Sequence, residues 1–193
     1  MNTSLWSTHL DDLLRRTASS DPTPGGGSVA AIAGALGVGL IQMAINVTAD
    51  PSLDDFGSRL QALRERIVPA ADGDVEDFSA LMAAYRLPRT DDVQRAERKR
   101  TIEEATVAAT RRPLELVETF AEAVGLSHEV EPLVKKTVVS DVQAGRDLVL
   151  GSARAALRTA DINIAGLLRL DSDSAAGLQD RRTSVTSRLE IPA

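Results

Sequence analysis

Two stretches of this sequence combine residue types that could bind and transform a small molecule. The first runs through Pro22, Thr23, Pro24, Gly25, Gly26, Gly27 and Ser28, where prolines stiffen the approach and three glycines free the backbone. No charged residue follows until Asp50, so the glycines should open a buried helix and present backbone N–H groups to a ligand. The other interpretation is a tight turn that lets helices pack closely.

The second stretch surrounds Asp74. At 100° per residue an apolar helical face forms around it, made of Val75, Phe78, Leu81, Met82 and Tyr85. A carboxylate in the middle of such a face is costly unless it has a partner or a chemical role. Asp74 is therefore a candidate general base or stabiliser of a cation. Alternatively, with Gly73 before it and Asp77 three residues later, Asp74 could cap a helix.

Four other polar residues are candidates for the site, and each of them also has a structural interpretation. Ser140 is predicted to cap a helix, with Gln143 completing a capping box. Asp141 could then be an acid or base, or a first-turn carboxylate that favours the helix dipole. Asn46 and Asn163 stand among apolar neighbours, and each could bind a ligand or another helix.

Helix lengths restrict how these candidates can meet. Ser28 and Asn46 are roughly 27 Å apart along a helix, and Asp141 and Asn163 roughly 33 Å, at ~1.5 Å per residue. One small site in one protomer cannot hold both ends of both helices. Either only some of the residues serve the site, or a dimer brings opposite ends together, and antiparallel pairing through the small-residue helix favours a dimer.

The composition predicts an all-α fold. Hydrophobic residues make up 43% of the 193 residues but aromatic residues only 3%, so the core must be built from Ala, Leu, Val and Ile. This length suits a single helical domain, residues 1–193. We expect an up-and-down bundle of five or six helices around the central small-residue helix, forming a dimer. The predicted helices span 4–19, 28–48, 53–86 (interrupted at Pro69 and Gly73), 90–125 (kinked at Pro113), 140–168 and 172–190, with residues 191–193 frayed.

Composition also excludes several classes of function. With no cysteine, disulfides and thiol catalysis are impossible, and two histidines argue against a metal site. A net charge of −6 without a basic patch argues against nucleic-acid binding. The apolar run is rich in Gly and Ala and has no partner segment, so we expect no membrane span. The N-terminus lacks an apolar signal core, which predicts a cytoplasmic protein.

Taken together, these motifs resemble the cyclodeaminase/cyclohydrolase family, the C-terminal half of formiminotransferase-cyclodeaminase. Four ordered blocks carry the resemblance: Pro22, Pro24 to Ala31, Ala33 to Gly37, Met43, Asn46 and Thr48; Asp74, Phe78 and Met82 to Pro88; Arg98, Lys99, Ile102, Pro113 and Leu114; Ser140, Asp141, Val142 and Asn163. Two places depart from the family pattern: Val134 to Thr137 replaces a Gly-Asn pair, and Gly166-Leu167 replaces a second Asn.

The resemblance implies a helical homodimer that acts on one-carbon tetrahydrofolate without a metal or redox cofactor. One family reaction hydrolyses 5,10-methenyl-tetrahydrofolate to 10-formyl-tetrahydrofolate, and the other closes 5-formimino-tetrahydrofolate with loss of ammonia. A chain without a formiminotransferase domain favours the hydrolysis. The altered segment at 134–137 leaves a non-catalytic folate-binding or interaction protein as a further alternative.

The candidate site residues fall into two groups. Asp74 and Asp141 are the catalytic candidates. The substrate-binding candidates are Pro24, Gly25, Gly26, Gly27, Ser28, Asn46, Tyr85, Arg86, Ser140 and Asn163. Tyr85 could stack on a flat ring or fill the core. Lysines 99, 135 and 136 could meet the glutamate tail of folate or remain solvated.

Overall fold

The structure is a computed structural model that describes residues 4–189. Within that range it contains six α-helices and no β-strand, which confirms the all-α prediction. The helices are α1 (Leu10–Thr17), α2 (Gly26–Thr48), α3 (Asp54–Tyr85), α4 (Asp92–Val130), α5 (Val139–Arg169) and α6 (Ser174–Arg188), with 3₁₀ turns at Leu5–Ser7, Pro51–Leu53 and Lys136–Val138. The predicted frayed segment, 191–193, lies outside the described residues.

Helices α2 to α5 form the up-and-down bundle. Each long helix packs against the next, and α5 packs back against α2. Side-chain bonds show the antiparallel directions: Arg66 on α3 binds Glu122 on α4, and Asn163 on α5 binds Ala109 on α4. The short helix α6 packs across α4 and α5, where Arg181 binds Glu118. The N-terminal end of α2 therefore meets the C-terminal ends of α3 and α5.

The small residues of α2 allow its close contacts inside the bundle. A Cβ at Gly34 would overlap the ring of Phe120, and a Cβ at Gly37 would crowd the backbone of Gly145. Larger side chains would hold the helices apart, so this face of α2 is used within the chain. By length and composition α2 could cross a membrane, but more than half of its most apolar segment is buried inside the bundle, as in the core helix of a soluble fold.

Helix α3 runs without a break through Pro69 and Gly73, so the predicted interruption is wrong. Pro69 lacks the N–H that would bond to the preceding turn. Its neighbours Ile67 and Ala71 are fully buried, and this packing outweighs the local cost. Because the helix is continuous, Asp74 lies in its interior, which excludes the interpretation of Asp74 as the cap of its own helix.

Other predicted boundaries also differ from the structure. Helix α4 continues past Gly125 to Val130, because Leu126 and Val130 are buried in the core. The first helix is shorter than predicted, and its apolar side chains Leu10 and Leu14 are exposed. Ser140 lies inside α5 and does not cap it. The predicted capping box is therefore absent from the start of α5, where Gln143 instead donates to Glu131.

Candidate active site

The carboxylate of Asp74 is bound to the first turn of α2. Its Oδ2 accepts hydrogen bonds from the Ser28 backbone N–H (2.9 Å) and from the Ser28 hydroxyl (2.8 Å). Ser28 is completely buried, and it is the third residue of α2, whose N–H has no partner within the helix. The positive end of the α2 dipole also favours a negative charge at this point. The Asp74 carboxylate is thus held in place as a hydrogen-bond acceptor for the first turn of α2.

Gly27 is required for this contact. A Cβ at position 27 would overlap Oδ1 of Asp74 and crowd the rest of the carboxylate. By contrast, a Cβ at Gly26 would meet nothing within 4 Å, and one at Gly25 would make an ordinary contact at 3.6 Å with the Pro22 carbonyl. The three glycines therefore have different roles, and the last of them, Gly27, packs against a carboxylate.

A cavity of about 230 Å³ opens between this turn and the facing helices. It is lined by Pro22, Thr23, Gly25, Gly26, Gly27, Asp74, Asp77, Phe78, Leu81, Ala109, Thr159 and Asn163. The lining combines glycine backbone and two carboxylates with mainly apolar side chains. Such a cavity suits a flat, polar ring system carrying a positive charge, because the carboxylates lie among low-dielectric walls.

The second carboxylate, Asp77, is paired. Arg112 on α4 donates to both of its oxygens, and this hydrogen-bonded pairing raises the pKa of the Arg112 guanidinium. The guanidinium reaches α3 because Gly73 has no side chain, since a Cβ there would overlap Arg112. Gly73, predicted to interrupt the helix, instead allows this close approach. Within residues 4–189, Asp74 forms no salt bridge, so its charge is available to the cavity.

The α5 wall of the cavity carries Thr159 and Asn163, one turn apart. The Asn163 amide donates to the Ala109 carbonyl at 2.9 Å, which fixes the side chain so that its oxygen can accept a bond from a ligand. Asn163 therefore lies with the glycine turn and Asp74 in one cavity. Thr159, Phe78 and Leu81 also line the cavity but were not predicted as site residues. Helical spacing could have identified them, because Thr159 is one turn from Asn163, and Phe78 and Leu81 are one and two turns from Asp74.

Three other candidates lie near this end of the bundle. Pro24 is buried in the turn before α2, and the Thr23–Pro24 peptide bond is cis. Tyr85 is 48% exposed, so it is not a core residue, and it lines a neighbouring cavity with Phe78. Arg86 is exposed just beyond α3 and lines neither cavity.

Asn46, Ser140 and Asp141 lie at the opposite end of the α2–α5 pair. Asn46 is exposed near the end of α2, in contrast to the buried setting predicted for it. Ser140 is exposed and Asp141 half-buried in the first turn of α5. One protomer therefore does not bring these three residues to Asp74, as the helix lengths required.

The segment that departs from the family pattern has a structural role at that same end. The Lys135 ammonium donates to the Val47 carbonyl (2.9 Å), and its backbone N–H donates to the Thr48 hydroxyl (3.0 Å). Lys135 thus stabilises the C-terminal end of α2, where a cation is favoured. Lys99 and Lys136 are exposed. Lys135 is therefore engaged with α2, far from the cavity.

Comparison with known proteins places this geometry in a family. The model of the formiminotransferase-cyclodeaminase family matches residues 9–183. A methenyltetrahydrofolate cyclohydrolase of Methylorubrum extorquens is 36% identical over 180 residues, covering 89% of this chain and 81% of the relative. Mouse formimidoyltransferase-cyclodeaminase is 30% identical over 148 residues, and the match spans 72% of this chain but only 27% of the mouse enzyme.

The fold has a solved counterpart. The formiminotetrahydrofolate cyclodeaminase of Thermotoga maritima superposes with a TM-score of 0.73 over 97% of this chain and 98% of that one, at 19% identity. At that identity the likeness concerns the fold. Together with the family match and the 36% identical relative, it confirms the resemblance read from the four sequence blocks: the chain belongs to the formiminotransferase-cyclodeaminase family, through its cyclodeaminase/cyclohydrolase part.

Proposed function

We propose that this protein hydrolyses 5,10-methenyl-tetrahydrofolate to 10-formyl-tetrahydrofolate in the cavity at the N-terminal end of α2. The observation that carries the proposal is the carboxylate of Asp74, which is bound to Ser28, faces that cavity and forms no salt bridge with the residues from 4 to 189. The substrate is a cation whose positive charge is shared between N5, the methenyl carbon and N10. A carboxylate fixed in a low-dielectric cavity attracts such a cation and needs no reorganisation to do so.

The chemistry requires one base and one proton donor. Water attacks the methenyl carbon while Asp74 accepts one of its protons, giving a neutral carbinolamine. The carbon–N5 bond then breaks: N5 takes the proton from Asp74, the hydroxyl proton passes to solvent, and the formyl group remains on N10. The sum is one substrate cation and one water giving product and one proton. No electrons are transferred, so the reaction needs no redox cofactor, and we propose that Asp74 activates the water without a metal.

The test is the decay of methenyl-tetrahydrofolate absorbance with purified protein. We expect decay well above the buffer rate, with 10-formyl-tetrahydrofolate as product. Decay at the buffer rate would refute hydrolysis. The same sample given 5-formimino-tetrahydrofolate tests the alternative reaction, in which appearance of methenyl-tetrahydrofolate and ammonia would identify a cyclodeaminase. Absence of both reactions with folate still bound would identify a non-catalytic folate-binding protein.

We further propose that the protein works as a homodimer. Apolar side chains on the outer face of α2 form a stripe (Val29, Leu36, Met43 and Val47), which stays exposed in the protomer. Val29 and Met43 are each seven residues from Leu36, so a two-fold axis at Leu36 would pair Val29 with the partner's Met43. This pairing would cover the stripe isologously, and an uncovered stripe of this length is unusual for a monomer.

The same axis would complete the cavity. Gly26 and Asn46 are each ten residues from Leu36, so the partner's Asn46 would lie level with Gly26. On α5, Ser152 lies beside Gly34 of α2 and Val149 beside Gly37, so an axis at Leu36 is level with about residue 150 of α5. The partner's Asp141 would therefore lie near the level of Thr159, one turn from Asn163. This arrangement explains why residues of one sequence pattern occupy opposite ends of one protomer.

Subunit mixing tests this arrangement. Asp74→Asn and Asp141→Asn homodimers should each be nearly inactive, and a mixture unfolded and refolded together should regain activity. Random pairing makes half of the dimers mixed, and one of their two sites is intact, so recovery should approach roughly a quarter of the wild-type rate. Failure to recover activity although mixed dimers form would show that both residues act within one protomer.

A cytoplasmic location and a single functional domain, residues 1–193, complete the proposal. The substrate class supports the location, because reduced one-carbon folates are soluble metabolites. The shared hydrophobic core of helices α2 to α6 supports the single domain.

A further inference from the structure

A second cavity of about 350 Å³ continues from the first one along the groove between α3 and α5. Phe78, Leu81, Thr159 and Asn163 line both cavities. The second cavity is also lined by Met82, Tyr85, Thr106, Ile162, Gly166 and Arg169. Because four side chains form a common boundary, one elongated ligand can occupy both spaces.

The character of the groove changes along its length. Asp74 and Asp77 lie at the start, the apolar and aromatic side chains occupy the middle, and the last charged residue is Arg169, at the C-terminal end of α5. Between Asp74 and Tyr85 the groove follows α3 for eleven residues, roughly 16 Å. Along the groove, negative charges are followed by an apolar wall and then by a positive charge. This order is complementary to a ligand that carries a cation, an aromatic ring and an anion in succession.

The wall near Arg169 is fixed in place. Arg98 on α4 lies over the ring of Tyr85 at 5.8 Å and donates to the Tyr85 carbonyl at 3.1 Å. This contact holds the end of α3 and presents the tyrosine ring to the groove. Within residues 4–189 no carboxylate forms a salt bridge with Arg169, so its charge remains available to a ligand.

We infer that Arg169 binds a carboxylate of the glutamate tail of the substrate, while Tyr85 and Phe78 contact its p-aminobenzoyl ring. The inference rests on the proposed function, because it places the methenyl carbon near Asp74. The lysines considered from sequence do not fill this role: Lys135 binds the end of α2 at the opposite end of the bundle, and neither Lys99 nor Lys136 lines the groove. An arginine is the better match, since its planar fork binds a carboxylate through two parallel bonds.

The experiment compares two substrates in three proteins. The substrates are 5,10-methenyl-tetrahydrofolate and the corresponding tetrahydropteroate, which ends at the benzoate and lacks glutamate. The proteins are wild type, Arg169→Gln and the control Arg154→Gln, which removes the same charge from an exposed position of α5 lining neither cavity.

We expect Arg169→Gln to raise the KM for the glutamate-containing substrate about tenfold with kcat nearly unchanged, the loss of one charge-assisted contact. Its KM for the pteroate substrate should equal that of wild type, and Arg169→Lys should recover part of the loss. Arg154→Gln should behave as wild type with both substrates. An unchanged KM ratio between the two substrates in Arg169→Gln would overturn the inference.

Wild-type turnover is a separate readout. If wild-type protein does not hydrolyse either substrate, the proposed function fails whatever the arginine does. If wild type is active and Arg169→Gln raises both KM values equally, the arginine has only a general effect on the groove, and the assignment to the glutamate tail is wrong.

Discussion

The two ends of the α2–α5 pair contain similar kinds of residue but use them differently. At the N-terminal end of α2, Asp74 binds Ser28 and still faces a cavity. At the C-terminal end, polar groups satisfy each other and the helix ends: Lys135 binds α2, and Glu131 accepts bonds from Arg146 and Gln143. A polar cluster that satisfies itself stabilises the fold, whereas one that leaves a fixed charge facing a cavity can act on a ligand.

The difference between the two ends also explains how residues of one family pattern can lie at two separate places in a protomer. Asp141 lies at the C-terminal end of α2 but outside this self-satisfied cluster, because within residues 4–189 its carboxylate accepts no hydrogen bond. Its proposed role in catalysis then depends on the proposed partner chain. Variants at each end should show whether the two ends differ in this way, and the largest effect is expected at Asp74.

Asp74→Asn should lower kcat by roughly 10²- to 10⁴-fold, because the amide cannot accept a proton or attract the substrate cation. Asparagine keeps an oxygen that can accept the Ser28 bonds, so the folded state should be almost as stable as wild type. Absorbance decay measures the rate and thermal unfolding measures stability. The control Asp180→Asn removes the same charge from an exposed site on α6 and should leave both unchanged.

Asp74→Ala separates the two roles of this carboxylate. It leaves the completely buried Ser28 without its acceptor, which should lower the free energy of unfolding by about 1–3 kcal/mol in addition to the loss of activity. If Asp74→Asn retained full activity while Asp74→Ala was unstable, Asp74 would be purely structural and the proposed mechanism would be wrong.

Gly27→Ala should reduce activity by roughly 10- to 100-fold, because its Cβ would push the Asp74 carboxylate out of position and a small misplacement of a catalytic group is costly. The matched control is Gly125→Ala on α4, where a Cβ would meet nothing within 4 Å. That control should keep its activity and gain about 0.5–1 kcal/mol from the better helix former. Equal activity of the two variants would show that the close approach of Gly27 is unimportant.

Leu36→Glu should separate the proposed dimer, since it places a charge at the centre of the α2 stripe. Size-exclusion chromatography with light scattering should show a monomer, with activity recovered only partly at high protein concentration. Val93→Glu, on an exposed side chain of α4 away from the stripe, is the control and should remain dimeric. A fully active Leu36→Glu monomer would show that the cavity is complete in one chain.

The overall fold was predictable because helical periodicity and composition act over long segments. The central position of α2 followed from its small, uncharged residues, and the amphipathic faces of α3 and α4 indicated neighbours on each side. Boundaries were less predictable where tertiary packing outweighs local preference. Burial of Ile67 and Ala71 keeps α3 helical through Pro69, and burial of Leu126 and Val130 carries α4 past a glycine.

The site was predictable only in part. Asp74 stood out as a charge on an apolar face, and Asn163 as an amide among apolar residues, and both line the cavity. The direct contact between Asp74 and Ser28 could not be predicted, since it joins positions 46 residues apart. The same is true of Arg112 crossing Gly73 to Asp77, because a glycine gives the same sequence signal for a helix break as for a close approach.

The smallest effect concerns the self-satisfied end of the bundle. Hydrogen bonds from Arg146 and Gln143 lower the pKa of Glu131 below its ordinary value near 4.3. A lowered pKa in the folded state contributes stability above the unfolded-state value, and that stability is lost as pH falls through the folded-state value. The difference in thermal midpoint between wild type and Glu131→Gln should therefore be constant near neutral pH and shrink below about pH 4. Because Glu131 lines neither cavity, kcat at neutral pH should not change. A change in kcat without a change in the midpoint would show that Glu131 itself serves catalysis and that its cluster is not purely structural.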